Sequence, residues 1–270
     1  MYTPRSQAQS LFHQVAVEFR LFWRSRQTIY LAFLIPMLGM ALFVYLNREG
    51  MLESVFGALF RGLGQGESAL ADFSPMTLMT LGLIVYSVVD VAFESMVPKL
   101  VRERTAGIYK RLGGTPLRAW VFLAAKTLSA SLIIVVEVGL ILAVGLVSTD
   151  VTVAGSWWSL GVILLLGTFT TAAFGFVVSN LTASAGGAVV AVHAIYIPML
   201  FLCGAFIPLE ALPKALQVVG HAVPLTYFVG PFRSVMVEGV SLAANGRDLL
   251  ILVAWMVGGW TLAVKTFRWE

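Results

Sequence analysis

The sequence predicts an all-α polytopic membrane protein with six transmembrane helices. The 270-residue chain has a mean hydropathy of +0.88 and only 12% charged residues, whereas soluble domains carry about 25%. Its 18 Phe and 7 Trp side chains are more than a water-facing globule of this length usually buries. Finally, apolar runs of about 20 residues, the length that crosses a bilayer as a helix, recur along the chain.

Six apolar runs define the predicted spans, and together they make a single transmembrane domain over residues 1–270. The runs are 28–46, 75–97, 120–147, 157–179, 187–207 and 248–266. Pro36 and Pro198 lie inside two of them, which transmembrane helices tolerate when neighbouring groups bond the freed backbone. In the fourth run, Ala172, Gly175 and Ser179 form a stripe of small residues that allows helices to approach closely.

The distribution of Lys and Arg orients these spans, because cytoplasmic loops carry an excess of both. With the N-terminus in the cytoplasm, twelve Lys and Arg residues fall on the inner side and five on the outer side. We therefore expect a multi-pass protein of the inner (plasma) membrane with both termini in the cytoplasm. The net charge of +4 then reflects this asymmetry, and nucleic-acid binding is not expected.

Residues 10–26 are predicted to form an amphipathic helix ahead of the first span. Its apolar residues recur every three to four positions: Leu11, Phe12, Val15, Phe19, Phe22 and Trp23. The polar residues His13, Glu18, Arg20 and Arg24 lie away from this stripe. Basic residues beside Phe and Trp favour a helix lying in the headgroup plane. The alternative is a helix packed on its own protein.

The predicted cytoplasmic loop, residues 98–119, has the pattern of an ordered structure. Residues 99–112 can form a helix, and Gly113-Gly114 would end it, because glycine accepts the left-handed conformation of helix C-termini. Thr115 is a suitable N-cap for the next helix, with Pro116 at its first position. A passive connection would not need these features.

Two segments carry patterns that are more specific. The first reads Glu103-Arg104, Gly107, Lys110-Arg111-Leu112 and Thr115-Pro116-Leu117. The second reads Gly204-x-Phe206-x-Pro208-Leu209-x-x-Leu212-Pro213, then Pro224-Leu225-Thr226-Tyr227 and Arg233. Both segments, in this order, resemble those of the type-2 ABC exporter permease family. With the six-span layout, the resemblance covers essentially the whole chain.

The resemblance implies roles for both segments. The first is similar to the family's coupling helix, which docks into a separate ATP-hydrolysing subunit. The coupling residues that it implies are Arg102, Glu103, Arg104, Gly107, Lys110, Arg111, Leu112, Thr115 and Pro116. The second segment, 208–233, is similar to the family's re-entrant hairpin of two short helices. The extracytoplasmic gate residues that it implies are Pro208, Leu212, Pro213, Pro224, Leu225, Thr226 and Tyr227.

The resemblance also implies partners. No G-x-x-x-x-G-K-[ST] phosphate loop occurs in the sequence, so ATP and Mg²⁺ are expected on two copies of an ABC ATPase and no cofactor on this chain. The chain is expected to be non-catalytic and to pair, in membrane lipid, with a second copy of itself or a sister permease. No metal site is expected, because a structural metal needs closely spaced ligands. Cys203 and the histidines His13, His193 and His221 are scattered along the chain.

Five ionisable residues inside or beside the spans are candidates for the transport pathway, since such residues are costly in a membrane. They are Asp90, Glu94, Lys126, Glu137 and His193. Asp90 and Glu94 share a helix face and either pair with Lys126 or an N-terminal arginine, or form a substrate or cation site. Glu137 and His193 either line the pathway or bond a neighbouring helix.

The expected function is that of a transmembrane permease for an ATP-driven exporter. Apolar spans with few charges favour an amphipathic, drug-like or lipid-like cargo, and polysaccharide or glycolipid export is the alternative within the same family. An intramembrane enzyme is less favoured, because neither a Gly-x-Ser-Gly motif nor an HExxH motif occurs. A secondary transporter usually shows an internal repeat, which this sequence lacks.

Overall fold

A computed structural model describes residues 7–62, 74–115, 117–149 and 151–269. Within these ranges every regular element is helical, which confirms the predicted all-α class. In chain order the helices are α1 (Gln7–Arg24), α2 (Arg26–Arg48), α3 (Met51–Gly62), α4 (Pro75–Val89), α5 (Met96–Thr105), α6 (Ile108–Gly113), α7 (Ala119–Ser148), α8 (Trp157–Leu181), α9 (Ala185–Leu202), α10 (Lys214–His221), α11 (Thr226–Glu238) and α12 (Gly246–Thr266). Short 3₁₀ turns at Leu209–Ala211 and Leu242–Asn245 precede α10 and α12.

The number of membrane spans agrees with the prediction when one bent helix pair is counted as a span. Among the described residues, five segments have the length and composition of a span: Pro75–Thr105, Ala119–Ser148, Trp157–Leu181, Ala185–Leu202 and Leu242–Thr266. The sixth candidate joins Ala32–Arg48 of α2 to Met51–Leu59 of α3 across a bend of 92°. Gly50, with a φ of 67°, lies at this break and takes the left-handed conformation that commonly ends helices.

The second predicted span, 75–97, is longer in the structure than in the prediction. A π-helical turn at Asp90–Glu94 joins α4 to α5, and the Ser95 amide donates to the Asp90 carbonyl at 2.7 Å. This wide turn brings the Ala92 carbonyl close to α8, where a Cβ on Gly175 would lie 3.1 Å from its oxygen. Gly175 therefore provides the close approach predicted for the small-residue stripe.

Helix α1 packs against α7, as in the alternative reading of residues 10–26. Phe19 and Phe22 lie against the hydrophobic core, whereas Phe12 is 75% exposed. Glu18, predicted away from the apolar stripe, is instead buried, because two lysine ammonium groups neutralise it. The placement of Phe12 at a membrane surface stays a prediction.

The two groups of connecting segments lie at opposite ends of the helices. We call the first the basic end: it holds the loop 98–119, the start of α7, the end of α8 and the segment after α12. We call the second the hairpin end: it holds the segment from the end of α9 to the start of α12. Glu18 of α1 also lies at the basic end, beside the start of α7.

Candidate functional site

The loop at the basic end differs from the single helix predicted over 99–112. Helix α5 ends at Thr105 and α6 begins at Ile108, because Gly107 takes a φ of 71°. The predicted break at Gly113-Gly114 is not left-handed, since Gly114 has a φ of −74°. Gly107, which lacks a Cβ, is the residue that adopts the left-handed turn at low cost.

The third span begins within one residue of its predicted start at 120, but the predicted N-cap at Thr115 is wrong. The Thr115 hydroxyl donates to the Leu112 carbonyl at 2.6 Å, so it closes the end of α6 instead of capping α7. Helix α7 begins at Ala119, with Arg118 at the N-cap. Pro116 lies outside the described residues.

A group of charges centred on the buried Lys126 and Glu18, which we call the anchor cluster, holds this loop to the spans. It consists of Glu18, Lys99, Glu103 and Lys126. The Lys126 ammonium donates to Glu18 Oε1 at 2.8 Å and to Glu103 Oε2 at 2.9 Å. Lys99 donates to Glu18 Oε2 at 3.2 Å. The cluster therefore joins α1, α5 and α7.

The anchor cluster resolves one alternative left open by the sequence. Lys126 pairs with Glu18 and Glu103, and not with Asp90 or Glu94. Burial would raise the pKa of the Glu18 carboxyl, but the charges of Lys126 and Lys99 outweigh it and lower that pKa below its ordinary value. Glu18 is therefore ionised at neutral pH, and Lys126 is provided with a negative partner.

Arg104 ties the same loop to α8. Its guanidinium donates to the Ser179 carbonyl at 3.0 Å and to the carbonyl of Thr182. These carbonyls belong to the C-terminal end of α8, where helical carbonyls have no partner within the helix and a positive charge is favourable. Arg104 thus serves as a cap supplied from another helix.

Aromatic packing fixes the inner side of α6. The Tyr109 ring is buried against Phe122 and Phe267, with centroid distances of 5.2 and 5.7 Å. Its hydroxyl donates to Glu103 Oε2 at 3.4 Å, and burial together with the Glu103 charge raises its pKa. Trp269 touches one edge of Gly113, which otherwise stays exposed: a Cβ there would lie 3.0 Å from the Trp269 side chain.

The opposite side of the loop faces outward, and we call it the docking face. Its exposed residues are Arg102, Thr105, Ala106, Ile108, Lys110, Arg111, Gly113, Gly114 and Thr115. Ile108 is 43% exposed and begins the helix that carries Lys110 and Arg111. The predicted coupling residues therefore fall into two groups: Glu103 and Arg104 hold the loop from inside, whereas Arg102, Lys110 and Arg111 face outward. Leu112 is half-buried.

At the hairpin end, the predicted gate residues mostly hold the hairpin itself together. Pro208, Leu212, Pro224 and Leu225 are buried, and Pro213 is exposed. The Thr226 hydroxyl donates to the Gly220 carbonyl at 2.6 Å, and the Tyr227 hydroxyl to the His221 carbonyl at 2.8 Å. These two bonds tie the start of α11 to the end of α10. Two short helices are present as predicted.

Two aromatic side chains lock this hairpin into the bundle, and the sequence analysis did not identify them as a pair of contacts. A Cβ on Gly82 of α4 would lie 2.2 Å from the Phe206 ring, and one on Gly167 of α8 would lie 2.5 Å from the Phe228 ring. Each aromatic ring therefore occupies the space that a side chain would fill. The sequence signal that could have indicated these contacts is the presence of glycines in the middle of two apolar spans.

The remaining intramembrane charges lie between α4, α7 and α9, apart from the anchor cluster. The His193 Nε2 of α9 lies 3.3 Å from Glu94 Oε1. Glu137 of α7 is fully buried, and neither of its carboxylate oxygens has a hydrogen-bond partner within the described residues. No group of three His, Cys, Asp or Glu side chains in the described part of the chain could hold a metal ion.

Comparison with known proteins yields one family and several relatives. The ABC-2 type transporter family matches residues 9–237. The chain is 27% identical over 174 residues to the "Inner membrane transport permease YhhJ" of Escherichia coli, a match that covers 63% of this chain and 46% of that protein. It is 23% identical over 191 residues to the "Probable multidrug ABC transporter permease YbhR" of the same organism, covering 71% and 50%. The chain spans about half the length of these two relatives.

Proposed function

The chain belongs to the ABC-2 type transporter family, and from this premise we propose that it is the membrane permease of an ATP-driven exporter. The observation that carries the proposal is the docking face on a loop tied to several helices. A push on α6 would reach α1, α5 and α7 through the anchor cluster. It would reach α8 through Arg104.

The rigidity of these connections is what mechanical coupling requires. Energetic coupling between distant sites travels through packed side chains and hydrogen-bond networks that move as units. Lys126 and Glu103 are largely buried, so their attraction is weakly screened by solvent. The loop would therefore move together with the spans, and the hairpin locked on Gly82 and Gly167 would follow at the other end.

The partner of the docking face is a separate ABC ATPase, in two copies, which would hold ATP and Mg²⁺. The permease would act as a dimer, a homodimer in the simplest case, and would catalyse no reaction itself. The excess of Lys and Arg at the basic end supports a cytoplasmic location for that end. Both termini would then lie in the cytoplasm and the hairpin would lie outside.

The proposed cargo is an amphipathic compound, drug-like or lipid-like, that leaves the cytoplasm or the inner leaflet. The apolar composition of the spans supports this cargo class, and so does the similarity to a protein named as a probable multidrug ABC transporter permease.

Co-purification tests the proposal. The chain, solubilised in mild detergent with an affinity tag, should retain the ATPase encoded beside its gene, and the pair should hydrolyse ATP. A neighbouring gene without a nucleotide-binding signature, together with no ATPase in the purified complex, would refute the proposal.

A further inference from the structure

A second polar group lies inside the spans, away from the anchor cluster and the docking face. We call it the carboxylate cluster and define it by Asp90 and Glu94 at the two ends of the π-helical turn and Glu137 of α7. Helix α7, which carries Glu137, packs directly against the π-helical turn. π-helical turns within α-helices often occur at functional sites.

Glu137 is a member of the cluster whose carboxylate has neither a hydrogen-bond donor nor a cation beside it among the described residues. Its side chain has no exposed surface, and both carboxylate oxygens lack a hydrogen-bond partner within the described residues. The Ser87 hydroxyl faces it, but donates instead to the Leu83 carbonyl at 3.0 Å. A buried carboxylate without a partner is costly, so the free chain favours the protonated form of Glu137, and a cation bound beside it would favour the ionised form.

Positive charge is scarce around the cluster. Among the ion pairs of the described residues, none joins a Lys or Arg to Asp90, Glu94 or Glu137. Of the described residues, His193 is the base whose ion-pair contact reaches the cluster, at Glu94. Three carboxyl groups and one imidazole leave an excess of acceptors that a cationic ligand would balance.

The cluster is also accessible from one side and bordered by aromatic rings. The His193 and Glu94 side chains are 42% and 24% exposed. The half-buried Tyr196 ring lies 5.3 Å from the His193 ring, and the half-buried Tyr86 stands four residues before Asp90. Carboxylates bind a cation by charge, and aromatic faces attract it through their quadrupole. Together they suit a bulky organic cation that arrives from the membrane side of α9.

We propose that the carboxylate cluster is a binding site for the cationic group of an amphipathic organic cation. This proposal rests on the proposed export function and specifies its substrate class. A metal ion is disfavoured, because no three His, Cys, Asp or Glu side chains of the described residues converge at metal-binding distances. The cation would place its charge between Asp90 and Glu94 and its apolar groups along α9.

Two ions of matched shape and opposite charge provide the test. The chain is reconstituted in nanodiscs, and binding of tetraphenylphosphonium and of tetraphenylborate is measured by equilibrium dialysis, with empty nanodiscs subtracted. The variants are Asp90→Asn, Glu94→Gln and Glu137→Gln, and the matched control is Glu53→Gln, an exposed carboxylate on α3. Thermal unfolding of each variant checks its fold.

We expect the wild type and Glu53→Gln to bind the phosphonium. We expect Asp90→Asn and Glu94→Gln to weaken it about tenfold or more, the loss typical of removing a charge-assisted contact, with no change for the borate. Unchanged phosphonium binding in both variants would overturn the proposal, as would an equal loss for both ions. If Asp90→Asn fails to fold, the result for Glu94→Gln still tests the proposal, because the Glu94 side chain is partly exposed. Selective phosphonium binding by a chain that retains no ATPase would refute the exporter and leave the cation site standing.

Discussion

The Lys126 ammonium lies 2.8 Å from the carboxylate of Glu18, a residue 108 positions earlier in the sequence. This pair is buried, and Glu103 adds a second carboxylate to the same ammonium at 2.9 Å. One cation thus connects the helix that precedes the spans, the end of the second span and the start of the third. The position of the docking face depends on this connection.

Removal of Lys126 should destabilise the fold strongly. Lys126→Met removes the shorter of the two lysine contacts to each of Glu18 and Glu103 and leaves both carboxylates with Lys99 alone, and breaking a buried ion pair from one side typically costs about 3–5 kcal/mol. Thermal unfolding in detergent should show a marked fall in the midpoint, whereas the exposed Lys265→Met should leave it unchanged. An equal midpoint for the two variants would show that the anchor cluster contributes nothing.

Stability should depend on Glu18 in acid. Its pKa in the folded chain lies below the ordinary value of 4.5, so the unfolded chain takes up the proton first as the pH falls. The stabilisation by Glu18 is therefore complete above 4.5 and is lost as the pH falls through the folded pKa. Unfolding midpoints of the wild type and Glu18→Gln, measured from about pH 7 to pH 3, should differ by a constant amount at neutral pH and converge in acid. A gap that persists in acid would contradict this account.

Charge reversal on the docking face should prevent assembly with the ATPase. Arg102→Glu and Arg111→Glu replace exposed basic side chains without touching the anchor cluster, so the permease should fold normally. Retention of the ATPase in pull-downs should fall about tenfold or more, as expected when like charges meet across an interface. The control is Arg247→Glu, exposed at the hairpin end. Equal retention in all three variants would refute the docking face.

Loss of Arg104 should separate assembly from coupling. Arg104→Ala removes two hydrogen bonds from a charged group to the end of α8, each worth about 1.5–3 kcal/mol, but leaves the exposed residues in place. The ATPase should still co-purify, while substrate-stimulated hydrolysis and transport should fall. Arg48→Ala, an exposed arginine on α2, is the control. Normal transport by Arg104→Ala would show that force reaches the spans by another route.

The contact between Gly82 and Phe206 should be intolerant of added volume. Gly82→Ala places a methyl group 2.2 Å from the ring, and overpacking of this kind costs about 1–3 kcal/mol. The unfolding midpoint should fall, and the double variant Gly82→Ala/Phe206→Leu should recover part of the loss. Gly161→Ala is the matched control, because a Cβ there meets no atom within 4 Å. Equal effects of the two alanines would contradict the packing argument.

The spans and their number could be predicted from the sequence because each depends on a local property, the length of an apolar run. The extension of the second span to Thr105 could not be predicted. The charged residues of α5 form their ion pairs, and their hydrogen bonds to the carbonyls at the end of α8, only in the folded chain. Lys99 and Glu103 appear as solvent-facing charges when the sequence is read locally, and Lys126 appears as a possible partner of Asp90 or Glu94. Their common partner, Glu18, is too distant in the chain for spacing to reveal it.

The ordered, helical character of the loop 98–119 could be predicted from the sequence, but the division of its side chains between inside and outside could not. Glu103 and Arg111 have the same polar character in the sequence, yet one is directed inward and the other outward. The deciding feature is Gly107, whose left-handed backbone redirects the chain between α5 and α6. Nothing in the helical period of residues 99–112 distinguishes this glycine from the pair at 113 and 114.

The π-helical turn at Asp90–Glu94 sets the rotational phase between the two ends of the second span. A surplus residue in one turn rotates everything that follows it by about 100° relative to an uninterrupted α-helix. Deleting one residue there would restore the α-helical register and turn Glu103 and Arg104 away from Lys126 and Ser179. The single extra residue of the π-helical turn therefore fixes the rotation of α5 relative to α4, and with it the direction in which the side chains at the basic end point.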